Sequence, residues 1–382
     1  MYLVIGADLV PTESNYDAFS SGNTNLLFGE TLKKYLESAS YRIFNLEMPL
    51  TDDLNPIPKC GPNLIAPTKT INAYVSAGVD LLTLANNHIM DQDVDGMLST
   101  CKTLASNNIA YLGVGNNLSD ALKPYYFDFA GKKIGVYACC EHEFGIATEF
   151  SAGANPFDPM ESFDHISDMK KQCDYIIVLY HGGKEHYRYP SPMLQKICRK
   201  FIDTGANTVI CQHSHCIGCE EKYKDGSIVY GQGNFLFDRK INDCWDTSLL
   251  ISLDENMSIS FFPLVKYENY VRIATDDIAE KILLDFNKRS SEIKTPGFVE
   301  KKYKEFSVSS LDNYLFSFSG IKKSFLYKVL NKLTKHKLTK FILTRKYSTE
   351  RKLILQNFIE CEAHRELIIQ GLKSNSSSEK AN

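Results

Sequence analysis

The sequence predicts an α/β protein, and three observations predict it. Short β-branched apolar runs alternate with segments of helical spacing. The runs are nearly unbroken by polar residues, and they stop abruptly at histidine, asparagine or an acid. Runs of that kind are strands buried on both faces, as strands flanked by helices are. With 382 residues and a hydrophobic fraction of 43%, the chain can build a large core, or two.

Taken in order, YLVIGADL (2–9) reads as a first strand ending at Asp8, with Pro11 blocking simple continuation. A helix over 29–38 leads to a second strand, YRIFNLEMPL, which carries Glu47 and stops at Pro49. Residues 51–67, rich in Pro, Asn and Asp, read as loop. A helix over 69–77 turns at Gly78 into the strand VDLLTLANNH, which halts at His88. DGMLSTCKTLASNN has helical spacing, IAYLGVG is the next strand, and 125–140 reads as a hairpin around 130–132. Residues 141–165 show no periodicity, and a stretch that long in a compact domain is usually functional. A helix near 163–172, the strand to His181, a helix over 191–204 and the strand 208–211 restore the alternation. SIVYGQGNFLF and the segment 247–273 read as antiparallel strands, with a hairpin turn at 254–256.

Beyond about residue 279 the character turns helical. The expected organisation is a main domain over 1–272, a basic helical region over 273–375 and a disordered tail at 376–382. Within 322–352 there are eleven Lys or Arg against one acid, Glu350, interleaved with leucine and phenylalanine. Such a segment suits peripheral contact with an anionic membrane, or a solvated helical face. A net charge of −3 gives no case for nucleic acid. Met1 runs straight into YLVIGADLV, with no basic n-region or cleavage site, so the expected compartment is the cytoplasm, with an option of peripheral membrane attachment. Eleven scattered cysteines suggest no disulfide framework. Cys216 and Cys219 form one C-x-x-C, but no second Cys pair or Cys–His pair follows to close a structural zinc site.

The chemistry collects where strands stop: Asp8, Glu47, Asn87 with His88, His181, and His213 with His215. In open α/β sheets, ligands gather beyond the carboxyl ends of strands. An extended H-x-H would aim both imidazoles to one side. Carboxylate, imidazole and amide together suit divalent Mn, Zn or Fe, and two such ions suit hydrolysis of a phosphate ester.

The motifs GAD (6–8), NLEMPLT (45–51), LANNHIMD (84–91), HGGKEH (181–186), CQHSHC (211–216) and GQGNFLFD (231–238) resemble those of the CapA family. That family comprises bacterial capsule and poly-gamma-glutamate synthesis proteins, related to the calcineurin-like metallophosphoesterases, and the resemblance runs over about residues 1–265. It implies a layered α/β/β/α sandwich with a C-terminal helical extension, and two divalent metals. Asp8 and His215 would bind the first metal, Glu47 would bridge, and Asn87, His181 and His213 would hold the second. His88 would be the general acid, with Asp91 orienting it. Glu185, Asn234, Lys184 and Arg188 would lie behind the ligands or face the substrate, a phosphorylated or anionic polymer. Two departures stand out. Val10 occupies the histidine position of the superfamily's D-x-H, and the usual G-D opening is stretched to Gly6-Ala7-Asp8. Two further readings remain open: amide or γ-glutamyl cleavage at the same site, and a non-catalytic assembly protein with a vestigial site.

Overall fold

The computed structural model describes residues 1–238, 243–321, 325–334 and 337–378. Two compact units divide the chain, 1–303 and 304–382.

The first unit is built on two mixed sheets. One runs in the order 270–273, 259–267, 247–254, 2–10, 41–45, 81–83, 110–112, and the short strand Leu236–Phe237 also pairs with 2–10. The other runs 220–223, 226–230, 208–212, 175–181, 132–140, 125–129. Side chains alternate across each strand, so successive residues serve different cores. Leu3, Ile5, Ile43, Leu81 and Leu253 meet Ile134, Val136, Ile177, Leu179 and Ile210 in the layer between the sheets. Val4, Phe44 and Leu82 face the other way, under Phe19, Leu27, Leu32, Tyr74 and Leu104 of the helices that cover the first sheet. Val178, Val209 and Ile228 likewise pack beneath Ile166, Cys198 and Phe201 of helices Ser162–Met169 and Pro192–Thr204. The result is the expected α/β/β/α sandwich. With both faces covered, the central strands need unbroken apolar sequence, which is what made them legible.

Several boundaries differ from the expectation. The second strand ends at Asn45 and the third is only Leu81–Thr83, so Glu47, Asn87 and His88 stand on loops just past the strands. The helix expected from residue 29 begins at Thr24 and kinks at Gly29, whose φ is 71°. SIVYGQGNFLF is not simply antiparallel. Its Gly226–Tyr230 part runs parallel to 208–212, and Leu236–Phe237 runs parallel to the first strand, with Leu9 opposite Leu236. Helix Asp276–Glu292 belongs to the first unit, past the boundary expected at 272, because Ile282 and Phe286 close over Ile217, Leu249 and Ala274.

The second unit is helical. It includes helices Phe325–Leu333, Lys337–Lys346, Thr349–Glu360 and Glu362–Ser378, with a small core of Leu315, Phe316 and Leu343. Residues 322–324 and 335–336 of the basic segment, and 379–382 of the expected tail, lie outside the described residues. Among the described residues no helix is long and apolar enough to cross a membrane.

Candidate metal centre

Register brings the strand ends into line. In the first sheet Asp8 pairs with Asn45, and Asn45 with Thr83. In the second, Cys140 pairs with His181, and His181 with Gln212. Whatever follows these positions shares one edge of the sandwich. The stretched Gly6-Ala7-Asp8 is absorbed there by a bulge: Ile5 faces Ile43 but Asp8 faces Asn45, three residues against two. The extra residue therefore does not displace Asp8. Gly6 is required at the bulge, because a Cβ there would meet the Phe44 ring at 2.2 Å.

All six sequence-predicted ligands converge at this edge. Glu47, His181 and His213 present ligand atoms within 4.8 Å of one another, as do Asp8, Glu47 and His215. Glu47 belongs to both sets. The Nε2 atom of His181 lies 3.2 Å from Glu47 Oε1, 3.1 Å from Asn87 Oδ1 and 3.1 Å from His213 Nδ1. His215 Nδ1 lies 3.5 Å from Asp8 Oδ2. Glu47 is fully buried, yet neither of its oxygens has a hydrogen-bond partner. A buried carboxylate left so is costly unless a cation answers it. The donor set and the orphaned oxygens fit a pair of divalent ions sharing Glu47.

The H-x-H does not lie on extended backbone. His213 and His215 have φ of 76° and 53°, in the left-handed region, and follow the end of strand Thr208–Gln212. Strain of this kind persists where the surroundings over-determine it and gathers at functional sites. The rings still converge, with centroids 6.0 Å apart.

Electrostatics couple the cluster. Burial and the neighbouring Glu47 push the Asp8 carboxyl up. Burial also opposes ionisation of Glu47, but the charges of His215 and His181 outweigh it and hold Glu47 below the usual carboxylate range. Burial, then the charge of His181, drive His213 well below its ordinary value. For His215 burial works downward, but Glu47 and Asp8 prevail and raise it to about 9. The folded value lies above the ordinary 6.5, so this proton's contribution to metal-free stability is complete below about pH 6.5 and is lost as pH rises through 9. A divalent ion needs the same imidazole deprotonated. Between pH 7 and 9 the melting temperature of metal-free protein should fall, by a stability change of about 2 kcal/mol. Over the same range the increment added by saturating Mn²⁺ should grow. A melting series at both pH values checks this, and an increment indifferent to pH would contradict it.

Beside the ligands, Asp91 is completely buried and holds His88: Oδ2 lies 2.6 Å from His88 Nδ1 and accepts the Leu64 backbone N–H at 2.6 Å. Lys59, from the 51–67 loop, pairs with the other Asp91 oxygen and stands 3.2 Å from His88 Nδ1. Loop residue Lys59 escaped the sequence reading, which looked only at strand ends. Glu143 escaped it too, although 141–165 was expected to be functional. Its Oε2 accepts the Asn87 amide N–H at 3.0 Å, which turns the Asn87 carbonyl oxygen toward His181. The Asn45 amide donates to Asp8 Oδ1 at 2.7 Å. The single tryptophan, Trp245, lies over His215 with centroids 4.5 Å apart and donates its indole N–H to His186 Nε2 at 3.0 Å.

The remaining sequence-predicted residues divide. Asn234 lies at the cluster, its Oδ1 2.8 Å from His215 Nδ1. Lys184 pairs with Glu185 at 3.5 Å, both partly exposed, and Arg188 donates to the Ile217 carbonyl at 3.0 Å. None of these three belongs to the two ligand sets. Cys216 and Cys219 are buried, and neither belongs to a candidate metal group among the described residues.

A family profile described as "Bacterial capsule synthesis protein PGA_cap" matches residues 3–239. The chain is 29% identical to the capsule biosynthesis protein CapA of Bacillus anthracis, over 56% of this chain and 55% of that one. It is 32% identical to the PGA biosynthesis protein CapA of Bacillus subtilis, over 44% and 46%. It thus spans about half the length of the curated relatives it matches. A solved structure described as a novel phosphatase of Mycoplasma pneumoniae aligns with a TM-score of 0.43 at 13% identity, covering 71% of this chain and 94% of that one.

Proposed function

We propose, starting from the fact that the chain belongs to the bacterial capsule synthesis protein family PGA_cap, that it is a metal-dependent hydrolase of phosphoester type. Its place would be in the synthesis of capsule or another anionic surface polymer. The observation that carries the hydrolase reading is Glu47, sealed from water, without hydrogen bonds, and shared by two ligand sets.

Asp8 and His215 would hold one ion, and His181, His213 and Asn87 the other, with Glu47 between them. Ions in such a site polarise a phosphoryl group and lower the pKa of water enough to supply a nucleophile at neutral pH. The chain's own residues do the rest. Glu143 keeps the Asn87 carbonyl turned inward, and Asn45 fixes the Asp8 carboxylate. Asp91 holds His88 by Nδ1, which leaves Nε2 to deliver a proton to the departing oxygen. Lys59 neutralises Asp91 from the other side, so the buried carboxylate keeps its place.

One observation favours amide cleavage over phosphoester cleavage: Arg188, two residues past HGGKEH, spends a guanidinium N–H on the Ile217 carbonyl. Phosphate recognition ordinarily uses arginine forks. A substrate panel separates the two bonds. Elemental analysis of untagged protein should find about two divalent ions per chain. The same protein should hydrolyse an aryl phosphodiester with added Mn²⁺, and His213→Ala should abolish turnover while remaining folded. Full turnover in that variant, or γ-glutamyl cleavage without phosphodiester cleavage, would sink the phosphoesterase reading.

The basic segment 322–352 belongs to the same proposal as a peripheral contact with anionic membrane. Its described part carries exposed Leu330, Leu333 and Phe341 among lysines. Deleting 320–382 should move the protein out of the membrane fraction; unchanged partitioning would dismiss the contact.

A further inference from the structure

Two residues past His215, the chain enters the wall of a cavity of about 520 Å³ that helix Asp276–Glu292 closes. None of the six ligand residues of the metal centre lines it, but Arg188 and Arg289 do. Arg188 donates from Nη1 to the Ile217 carbonyl at 3.0 Å, and Arg289 donates from Nε to the Gly218 carbonyl at 2.7 Å. Gly218 makes this arrangement possible. Its own N–H bonds the Gly231 carbonyl at 3.1 Å, and a Cβ there would meet the Tyr230 carbonyl oxygen at 1.8 Å. Consecutive peptide carbonyls therefore anchor two guanidiniums in one cavity.

A guanidinium has five N–H groups, so each of these bonds leaves four to spend. Arg188 Nε and Nη2, and Arg289 Nη1 and Nη2, make no hydrogen bond or ion pair among the described residues. None of these nitrogens is sealed from solvent. The Thr247 hydroxyl, also in the lining, is unbonded and open in the same way. Burial first, and then the charge of Arg188, lower Arg289 from its ordinary value. Asp285 acts on Arg289 in the opposite direction, but less strongly than Arg188 does. An arginine stays charged all the same, so the pair carries a repulsion that an anion between them would relieve.

The rest of the lining narrows the anion. Lys281 adds an exposed cation, and Asp277 and Asp285 add exposed carboxylates, which leaves one positive charge in excess among the described lining residues. That balance suits a single negative charge, whereas a dianion would meet the two carboxylates as like charges. Donors arriving from three separate chain segments suit the tetrahedral oxygens of a phosphate better than a carboxylate, which accepts in one plane. Ile217, Ile278 and Ile282 supply apolar wall for groups esterified to that phosphate. We propose that this cavity binds a phosphodiester, at a site separate from the metal centre. The site does not rest on the phosphoesterase reading, because it would hold a diester whether or not the ions hydrolyse one.

The test is binding to metal-free protein, so that the ion centre does not supply the signal. The full-length protein and its His213→Ala variant are stripped of metal, dialysed, and titrated with diethyl phosphate by calorimetry. Both should bind it saturably, with a dissociation constant of about 1 mM. Arg188→Gln and Arg289→Gln should each weaken binding about tenfold, and Thr247→Val should weaken it less. Asp285→Asn should tighten binding, a gain that a misfolded variant does not show. Propionate, a singly charged carboxylate, and inorganic phosphate should both bind more weakly than the diester. No saturable binding, binding indifferent to both arginine substitutions, or propionate or inorganic phosphate held as tightly as the diester would overturn the proposal. A protein that binds diethyl phosphate here but hydrolyses nothing when reloaded with Mn²⁺ would leave the site standing and remove only the phosphoesterase reading.

Discussion

Replacing Glu47 by glutamine should lower phosphodiester turnover by about three orders of magnitude or more and remove the melting-temperature increment that Mn²⁺ gives. The shape of the side chain is conserved, so circular dichroism should not change. What is lost is the one carboxylate common to both ligand sets. Lewis-acid stabilisation by bound ions is worth several kcal/mol, and each 1.4 kcal/mol or so is a factor of ten in rate. A second readout needs no activity. Glu47 is the leading upward influence on His215, so without it His215 should return toward its ordinary value. The metal-free variant should then lose much of the stability decline between pH 7 and 9. A variant that still takes up two ions would show that Glu47 does not bridge, and one that keeps the full decline would show that Glu47 does not hold His215 up.

His88→Ala should behave differently. Turnover should drop by about 10²–10⁴, the usual contribution of a general acid. Ion content and the Mn²⁺ increment should be unchanged, because His88 is outside both ligand sets. The loss should also depend on the leaving group: large for an alkyl phosphodiester, which needs its oxygen protonated, and small for a 4-nitrophenyl ester, which does not. An equal loss for both esters would remove His88 from the proton-transfer role and leave it structural.

The sequence made the strands legible because a sheet covered on both faces tolerates almost no polar residue along its length. The ligands were legible for a related reason. Where such a strand stops, a polar residue has emerged from the core, and several emerging at one edge imply a site. Backbone geometry was less readable. The H-x-H reads as extended in one dimension, but His213 and His215 turn into the left-handed region once a loop must aim two rings into a cluster. Lys59, Glu143 and Trp245 were hidden for another reason. They reach the centre from loops and a short 3₁₀ turn, and nothing local in PKCG, HEF or DCWD announces a partner dozens of residues away. The parallel pairing of Leu236–Phe237 with the first strand was likewise invisible, because its register is set by a neighbour more than two hundred residues earlier.

That last pairing governs the order in which the protein can be made. The strand bearing Asp8 is synthesised more than two hundred residues before two of its neighbours, Leu236–Phe237 and Thr247–Asp254. Until then one edge of Tyr2–Val10 has no strand to bond with, and contacts of such long sequence separation slow folding and leave edges open to the wrong partner. A nascent chain halted before residue 236 would display all six ligand residues but could not complete the first sheet, so ion uptake should come late in synthesis, after the opening strand is enclosed.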